Sequence, residues 1–209
     1  MEIKNKDLKF KVGSCNLKIR EAQMIRRLSE LKSVLYDQKW AEKAADFPVY
    51  YVWRGIRETK YIRYDITIIP AQMLGKEFPK TKGHHHINHF PELIKVLEGQ
   101  AIYFSQKGRG KDVKDCWAIR AKKGDFVLIP PDVEHLTINP GKRALVMANW
   151  MCKGVKSDYS LFEKMQGACY YYTKQGWLKN KNYKNAPRLR FERPFKEFSL
   201  TNLKSLLCK

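Results

Sequence analysis

The chain has 209 residues, 44% hydrophobic and 30% charged, enough for one folded core with ordered arms. No apolar run approaches the roughly 20 residues a membrane helix needs, and MEIKNKDLKFKVG lacks the apolar core of a signal peptide, so neither a span nor a leader is expected. The net charge of +20 admits nucleic acid or anionic small molecules as partners. Its Lys and Arg are spread along the chain and dense only from Lys174 onward, so nucleic acid is not expected as the main partner.

Met24, Leu28, Leu31 and Leu35 recur at helical spacing, so residues 20–46 are read as partly helical, with Asp37 capping a short helix through Trp40 and Ala44. From Pro48 the texture changes. PVYYVWRG, YIRYDITIIP, ELIKVLEG, AIYFSQ, CWAIRA, DFVLIP and RALVMANWM are short runs rich in Val, Ile, Tyr and Trp, separated by turn-formers such as Gly75, Gly108, Gly124 and Asn139–Pro140–Gly141. Many short strands with regular turns predict an antiparallel sandwich or barrel. After Gly154, SDYSLFEKM reads as a short helix capped by Ser157, GACYYYTKQGWLK as a hairpin, and APRLRFERPFKEFSL as an arm over the body or a neighbouring subunit. The expected organisation is one domain: an N-terminal segment 1–46, a barrel core 47–155 and a C-terminal extension 156–209.

Cys15, Cys116, Cys152, Cys169 and Cys208 are odd in number, scattered and free of CxxC. The expectation is no disulfide framework, no zinc knuckle and a reducing cytoplasm.

All five histidines stand at His84, His85, His86, His89 and His135, four of them within six residues. Side chains alternate along a strand, so His84 and His86 share a face while His85 points away. Glu92 begins a returning strand after a turn at Ile87–Pro91, where a carboxylate can face the two imidazoles. His135 lies in a second block, GDFVLIPPDVEHLTIN, and His89, in the turn, is an alternative donor. Three imidazoles and one carboxylate suit Fe(II), Mn, Ni, Co or Zn.

These two blocks resemble the paired cupin motifs. The first reads His84–His85–His86, five residues, Glu92, six residues, Gly99; the second reads Gly124, five residues, Pro130, then His135 and Asn139. The gap before Glu92 is slightly long, and Asp132 stands where a glycine is usual. Together with RRLSELKSVLYDQKWAEKAADFPVYYVW, ITIIPAQMLGKEFPKTKGHHH and KSDYSLFEKMQG, the blocks look like the cupin-type glucose-6-phosphate isomerases of archaea and some bacteria, over roughly residues 24–185.

The resemblance implies an all-β fold with short helices: a cupin double-stranded β-helix, or jelly-roll barrel, with N- and C-terminal extensions. It implies one divalent ion per subunit on His84, His86, Glu92 and His135, with Fe(II) favoured, and a homodimer. The implied activity interconverts glucose 6-phosphate and fructose 6-phosphate, with Glu92 both ligand and proton carrier; an enediol route needs it as a base, whereas a hydride route leaves it mainly a ligand. Substrate contacts are implied at Tyr50 or its neighbour Tyr51, at Thr67, Thr81 and Gly83, and at Tyr159. Ser157, Ile94 and Met151 depart from residues usual in the family. Those departures keep open a cupin enzyme acting on another phosphosugar, and the charge keeps open a non-catalytic cupin that binds sugar phosphate or nucleic acid. Lys82, Lys153 and Lys156, beside the motifs, are candidates for restoring positive charge near a phosphate.

Overall fold

Alternating β-branched and aromatic residues turn much of this chain into strands. A computed structural model describes residues 9–12, 15–201 and 203–208. In chain order the elements begin with β1 (Lys9–Val12), β2 (Cys15–Lys18), β3 (Met24–Arg27), α1 (Leu28–Leu31), α2 (Gln38–Lys43), β4 (Pro48–Glu58), β5 (Ile62–Ile69) and β6 (His85–His86). They continue through β7 (Glu92–Glu98), β8 (Gln100–Arg109), β9 (Asp112–Lys122), β10 (Phe126–Ile129), β11 (Glu134–Ile138) and β12 (Leu145–Cys152). The last are β13 (Ser157–Asp158), α3 (Ser160–Lys164), β14 (Tyr170–Thr173), β15 (Gly176–Lys179), β16 (Arg190–Glu192) and α4 (Leu203–Leu207).

One sheet has six strands in the order β10-β7-β12-β5-β4-β3, and a second has four in the order β11-β8-β9-β16. From β7 to β12 the chain passes back and forth between the sheets, which makes a two-sheet jelly-roll barrel with short helices, the cupin architecture implied by the resemblance. Ile94, Val96, Ile102, Phe104, Val127, Ile129 and Leu136 are almost wholly shielded from water between the sheets. Burying each such side chain is worth roughly 1.5–3 kcal/mol, so this apolar filling holds the barrel closed around its polar cavity.

The N-terminal reading holds in part. Asp37 does cap a helix, accepting from the Trp40 N–H at 3.2 Å. Met24, however, belongs to a strand: β3 pairs with β4, Met24 opposite Val52 and Arg26 opposite Tyr50. Within β3 exposure alternates with period two, because an edge strand needs only one inward face. Ser157 likewise caps no helix; it pairs with His86 in a short ladder, and the Asp158 carboxylate accepts the Ser160 N–H at 2.8 Å.

The cysteine reading is corrected more sharply. Cys152, at the end of β12, is disulfide-bonded to Cys208, with Cα atoms 5.3 Å apart across a sequence separation of 56. Spacing along a chain does not say which side chains meet; here α4 packs back against β12 and β5, with Leu207 buried beside Ile62 and Leu93. Cys116 and Cys169 are buried free thiols. The arm lies over the body: β16 adds to the second sheet parallel to β9, and Phe195 bridges Phe126.

A buried ion pair sets the loop that leads into the histidines. Lys80 Nζ donates to Glu77 Oε1 at 2.7 Å and to the Val34 carbonyl at 2.9 Å, while Glu77 Oε2 accepts the Tyr36 N–H at 2.6 Å. Both side chains are almost completely buried. Removing either partner would strand the other charge, so the pair ties the Glu77–Lys80 loop to the segment after α1.

Candidate metal centre

The backbone places the histidines before their chemistry is considered. His84 and His135 form an isolated antiparallel bridge, the His84 N–H donating to the His135 carbonyl at 3.0 Å and the His135 N–H returning to His84 at 2.8 Å. Their rings sit 4.5 Å apart, between centroids. His86 follows two residues on, and Glu92 opens β7 next to β12. One donor atom from each of His84, His86, Glu92 and His135 lies within 4.8 Å of the others.

Several details fit a cation at this point. His86 Nδ1 donates to the Phe90 carbonyl at 2.8 Å, and because a carbonyl only accepts, the proton sits on Nδ1 and Nε2 carries the free lone pair. The His84 and His86 Nε2 atoms are 3.2 Å apart. Two nitrogens each about 2.1 Å from one ion stand about 3.0–3.4 Å from each other at ordinary coordination angles. Glu92 Oε2 is 3.3 Å from His135 Nε2 and 3.7 Å from His86 Nε2. His135 Nε2 is buried with no hydrogen-bond partner among the described residues, an orphan that a metal would satisfy. Behind the carboxylate, the Asn149 amide donates to Glu92 Oε1 and holds its plane.

The other two histidines stand aside. His85 points toward Asp158, with Nδ1 3.9 Å from Oδ2. His89 adopts φ +56° in the turn, is largely exposed and contacts Asp132, so it is not the alternative donor.

Burial dominates the electrostatics. It pushes the His84 pKa well below the ordinary 6.5, helped by neighbouring His135 and His86. His86 is also lowered by burial, against the opposing pull of Glu92. Burial pushes the Glu92 carboxyl up, but its contacts with His135, His86 and Asn149 outweigh that and hold it below the ordinary 4.5. Neutral imidazoles beside an ionised carboxylate are the protonation states a divalent ion needs.

The same shifts predict an acid sensitivity. The unfolded chain's histidines take up protons from about pH 6.5 downward while the buried ones resist, so the unfolded state binds more protons and stability falls with pH. Glu92 adds a loss of the same sign through the carboxylate range, since its folded pKa is depressed. The melting temperature of chelator-treated protein is therefore expected to drop from pH 7 to 5, and His84→Gln should flatten that drop. A melting temperature unchanged over that range would contradict this.

The four donors line a cavity of about 450 Å³. Tyr50, Thr67, Thr81 and Tyr159 line it too, whereas Tyr51 packs with Trp53 in a separate apolar cluster. Thr81 Oγ1 accepts the Thr137 N–H at 3.0 Å, leaving its own proton for another acceptor. Gly83 is not in the lining; it has φ +81°, and a Cβ there would overlap the Phe162 ring and approach the His135 carbonyl. Of the three lysines beside the motifs, only Lys156 lines the cavity: Lys82 is paired with Glu163 at 2.5 Å, and Lys153 with Glu58 at 2.5 Å near the surface. Ser157, Ile94 and Met151 all line it.

Sequence reasoning missed Asn149, Arg26 and the Arg63–Asp65 pair, 2.9 Å apart in the same wall. A signal existed for two of them: Asn149 in LVMANWM and Asp65 in YIRYDITII are polar residues inside apolar strands. Arg26 lies in the segment read as helix, which hid the face it presents.

Among known proteins, the model of the glucose-6-phosphate isomerase (GPI) family matches residues 25–188. The chain is 32% identical over 130 residues to the glucose-6-phosphate isomerase of Pyrococcus abyssi, covering 59% of this chain and 67% of that protein. It is 28% identical over 132 residues to that of Thermococcus litoralis, covering 58% and 65%. It thus spans about two thirds of the length of the curated relatives it matches. The solved Lactobacillus farciminis oxalate decarboxylase formate complex is 19% identical, with a TM-score of 0.42 over 56% of this chain and 32% of that one.

Proposed function

The chain belongs to the glucose-6-phosphate isomerase family, and we propose that it is a metal-dependent aldose–ketose isomerase interconverting glucose 6-phosphate and fructose 6-phosphate. The observation that carries this is the convergence of His84, His86, Glu92 and His135 in the same cavity that Tyr50, Thr67, Thr81 and Tyr159 line. A metal-binding group and hydroxyls suited to a phosphoryl group share one chamber large enough for a hexose phosphate.

When bound, the divalent ion supplies the electrophile that polarises the C1 and C2 oxygens of the open-chain sugar. Every other part of the task falls to side chains. Glu92, ionised and held by Asn149, is the group placed to carry a proton between C2 and C1. Its lowered pKa makes it a weak base, so its action depends on a substrate whose C–H has been acidified. The Thr67 and Thr81 hydroxyls and Tyr50 receive the phosphate, and Tyr159 closes the side of the sugar next to His84, their rings 5.6 Å apart. Gly83 acts indirectly, by letting Phe162 pack tightly behind the His84 strand.

Purified protein loaded with Fe(II), Mn(II) or Ni(II) should isomerise fructose 6-phosphate, and a chelator should abolish turnover. Metal-loaded protein that leaves the sugar unchanged would sink the reading. Fe(II) is the favoured ion and a homodimer the expected assembly; light scattering would then give twice the 24.6 kDa chain mass. The cytoplasm is the proposed compartment, and trapping thiols at lysis would show whether Cys152 and Cys208 are bonded there.

A second reading has its own support. Because Ser157, Ile94 and Met151 all face the cavity, their departure from the family's usual residues bears on which hexose phosphate fits. Faster turnover of mannose 6-phosphate than of glucose 6-phosphate would favour that alternative.

A further inference from the structure

We propose that Arg26 is the cation that recognises the phosphoryl group in this cavity, a role that rests on the reading of the chamber as a sugar-phosphate site. Arg26 stands on the edge strand β3, directly opposite Tyr50 on β4, and both line the cavity. Its guanidinium carbon lies 5.2 Å from the centroid of the Tyr159 ring, the ring that also neighbours His84. The arginine therefore shares the cavity wall with the metal-binding group.

Two features give Arg26 a fixed aim and an unmet need. Its Nη1 donates to Glu30 Oε1 at 2.6 Å, and Glu30 Oε2 accepts the Arg27 N–H at 2.9 Å, so the clamp is anchored to the start of α1. Its Nε is buried and has no acceptor among the described residues. A buried donor on a charged group is costly when unpaired, which points to an acceptor that arrives with a ligand. A phosphoryl oxygen is such an acceptor, since it takes a charge-assisted bond from the guanidinium edge while neighbouring hydroxyls bond the other oxygens.

Arg54, Arg63 and Lys156 also line the cavity, but among the described residues only Arg26 carries a buried cationic N–H without an acceptor. Lys82, which also lies near the Tyr159 ring, is paired with Glu163, and Arg63 is paired with Asp65. Arg26 also keeps a partner in Glu30, but that carboxylate is partly solvent-exposed and takes only Nη1.

The test compares metal-loaded wild type with Arg26→Gln and Arg26→Lys by calorimetric titration with fructose 6-phosphate, alongside steady-state turnover. Losing a charged hydrogen bond predicts that Arg26→Gln binds fructose 6-phosphate about 10- to 100-fold more weakly. KM should rise in step, kcat should change less, and metal content should match wild type. The preference in kcat/KM for fructose 6-phosphate over unphosphorylated fructose should shrink by the same factor, which a merely structural defect would not produce. Arg26→Lys keeps the charge without the planar edge and should lose several-fold in affinity. Affinity within about three-fold of wild type in Arg26→Gln, wild-type affinity in Arg26→Lys, or a wild type that does not bind the ester at all would each overturn the proposal. A wild type that binds fructose 6-phosphate but never isomerises it defeats the isomerase reading alone, and the binding comparison still decides the role of Arg26.

Discussion

Replacing His135 by alanine is expected to remove the bound ion and the isomerase activity together. His135 is the only one of the four donors contributed by β11, and no fifth His, Cys, Asp or Glu joins the group among the described residues, so its loss leaves three ligands. Loss of a residue that merely orients a ligand costs roughly 10–100-fold in metal affinity, so loss of a ligand itself should exceed that. The variant should still fold, because the bridge to His84 uses only backbone atoms and survives the truncation. Metal analysis after dialysis, run beside the fructose 6-phosphate assay and a thermal melt, reads all three quantities. A variant that keeps both stoichiometric metal and activity would show that the four residues are not the ligand set.

Glu92→Gln separates binding from chemistry. The amide is nearly isosteric, can still accept from Asn149, and leaves all three imidazoles in place. At saturating metal the ion should therefore remain bound, more weakly than before. The proton carrier is gone, and a positioned general base typically contributes about 10²–10⁴-fold, so kcat should fall by that order with KM little changed. Solvent-isotope exchange into the product gives an independent readout, since only proton transfer through Glu92 exposes the migrating hydrogen to water. Activity within about ten-fold of wild type at saturating metal would leave Glu92 as a ligand and favour a hydride shift.

Much of the fold was legible because strand formation is largely a local matter. The β-rich runs from PVYYVWRG to RALVMANWM are all strands, and GACYYYTKQGWLK is the hairpin its residues imply. Three local readings went astray for one shared reason. Met24 at helical spacing, Ser157 at a cap-like position and the scattered cysteines were each read from sequence neighbours. The structure decided them by distant partners: Val52 across the sheet, His86 across a two-residue ladder, and Cys208 brought back by the packing of α4.

For the site, the sequence by itself determined the donor types, their alternation along the HHH run and the turn before Glu92. These follow from strand geometry over a few residues, and the family motifs extended them to His135. Only the tertiary structure decided which side chains surround that group. Asn149 reaches Glu92 from β12, Arg26 reaches Tyr159 from an edge strand, and Lys82 turns away to Glu163. Those contacts join residues tens to more than a hundred positions apart, and nothing short of the two sheets closing over the cavity sets their directions.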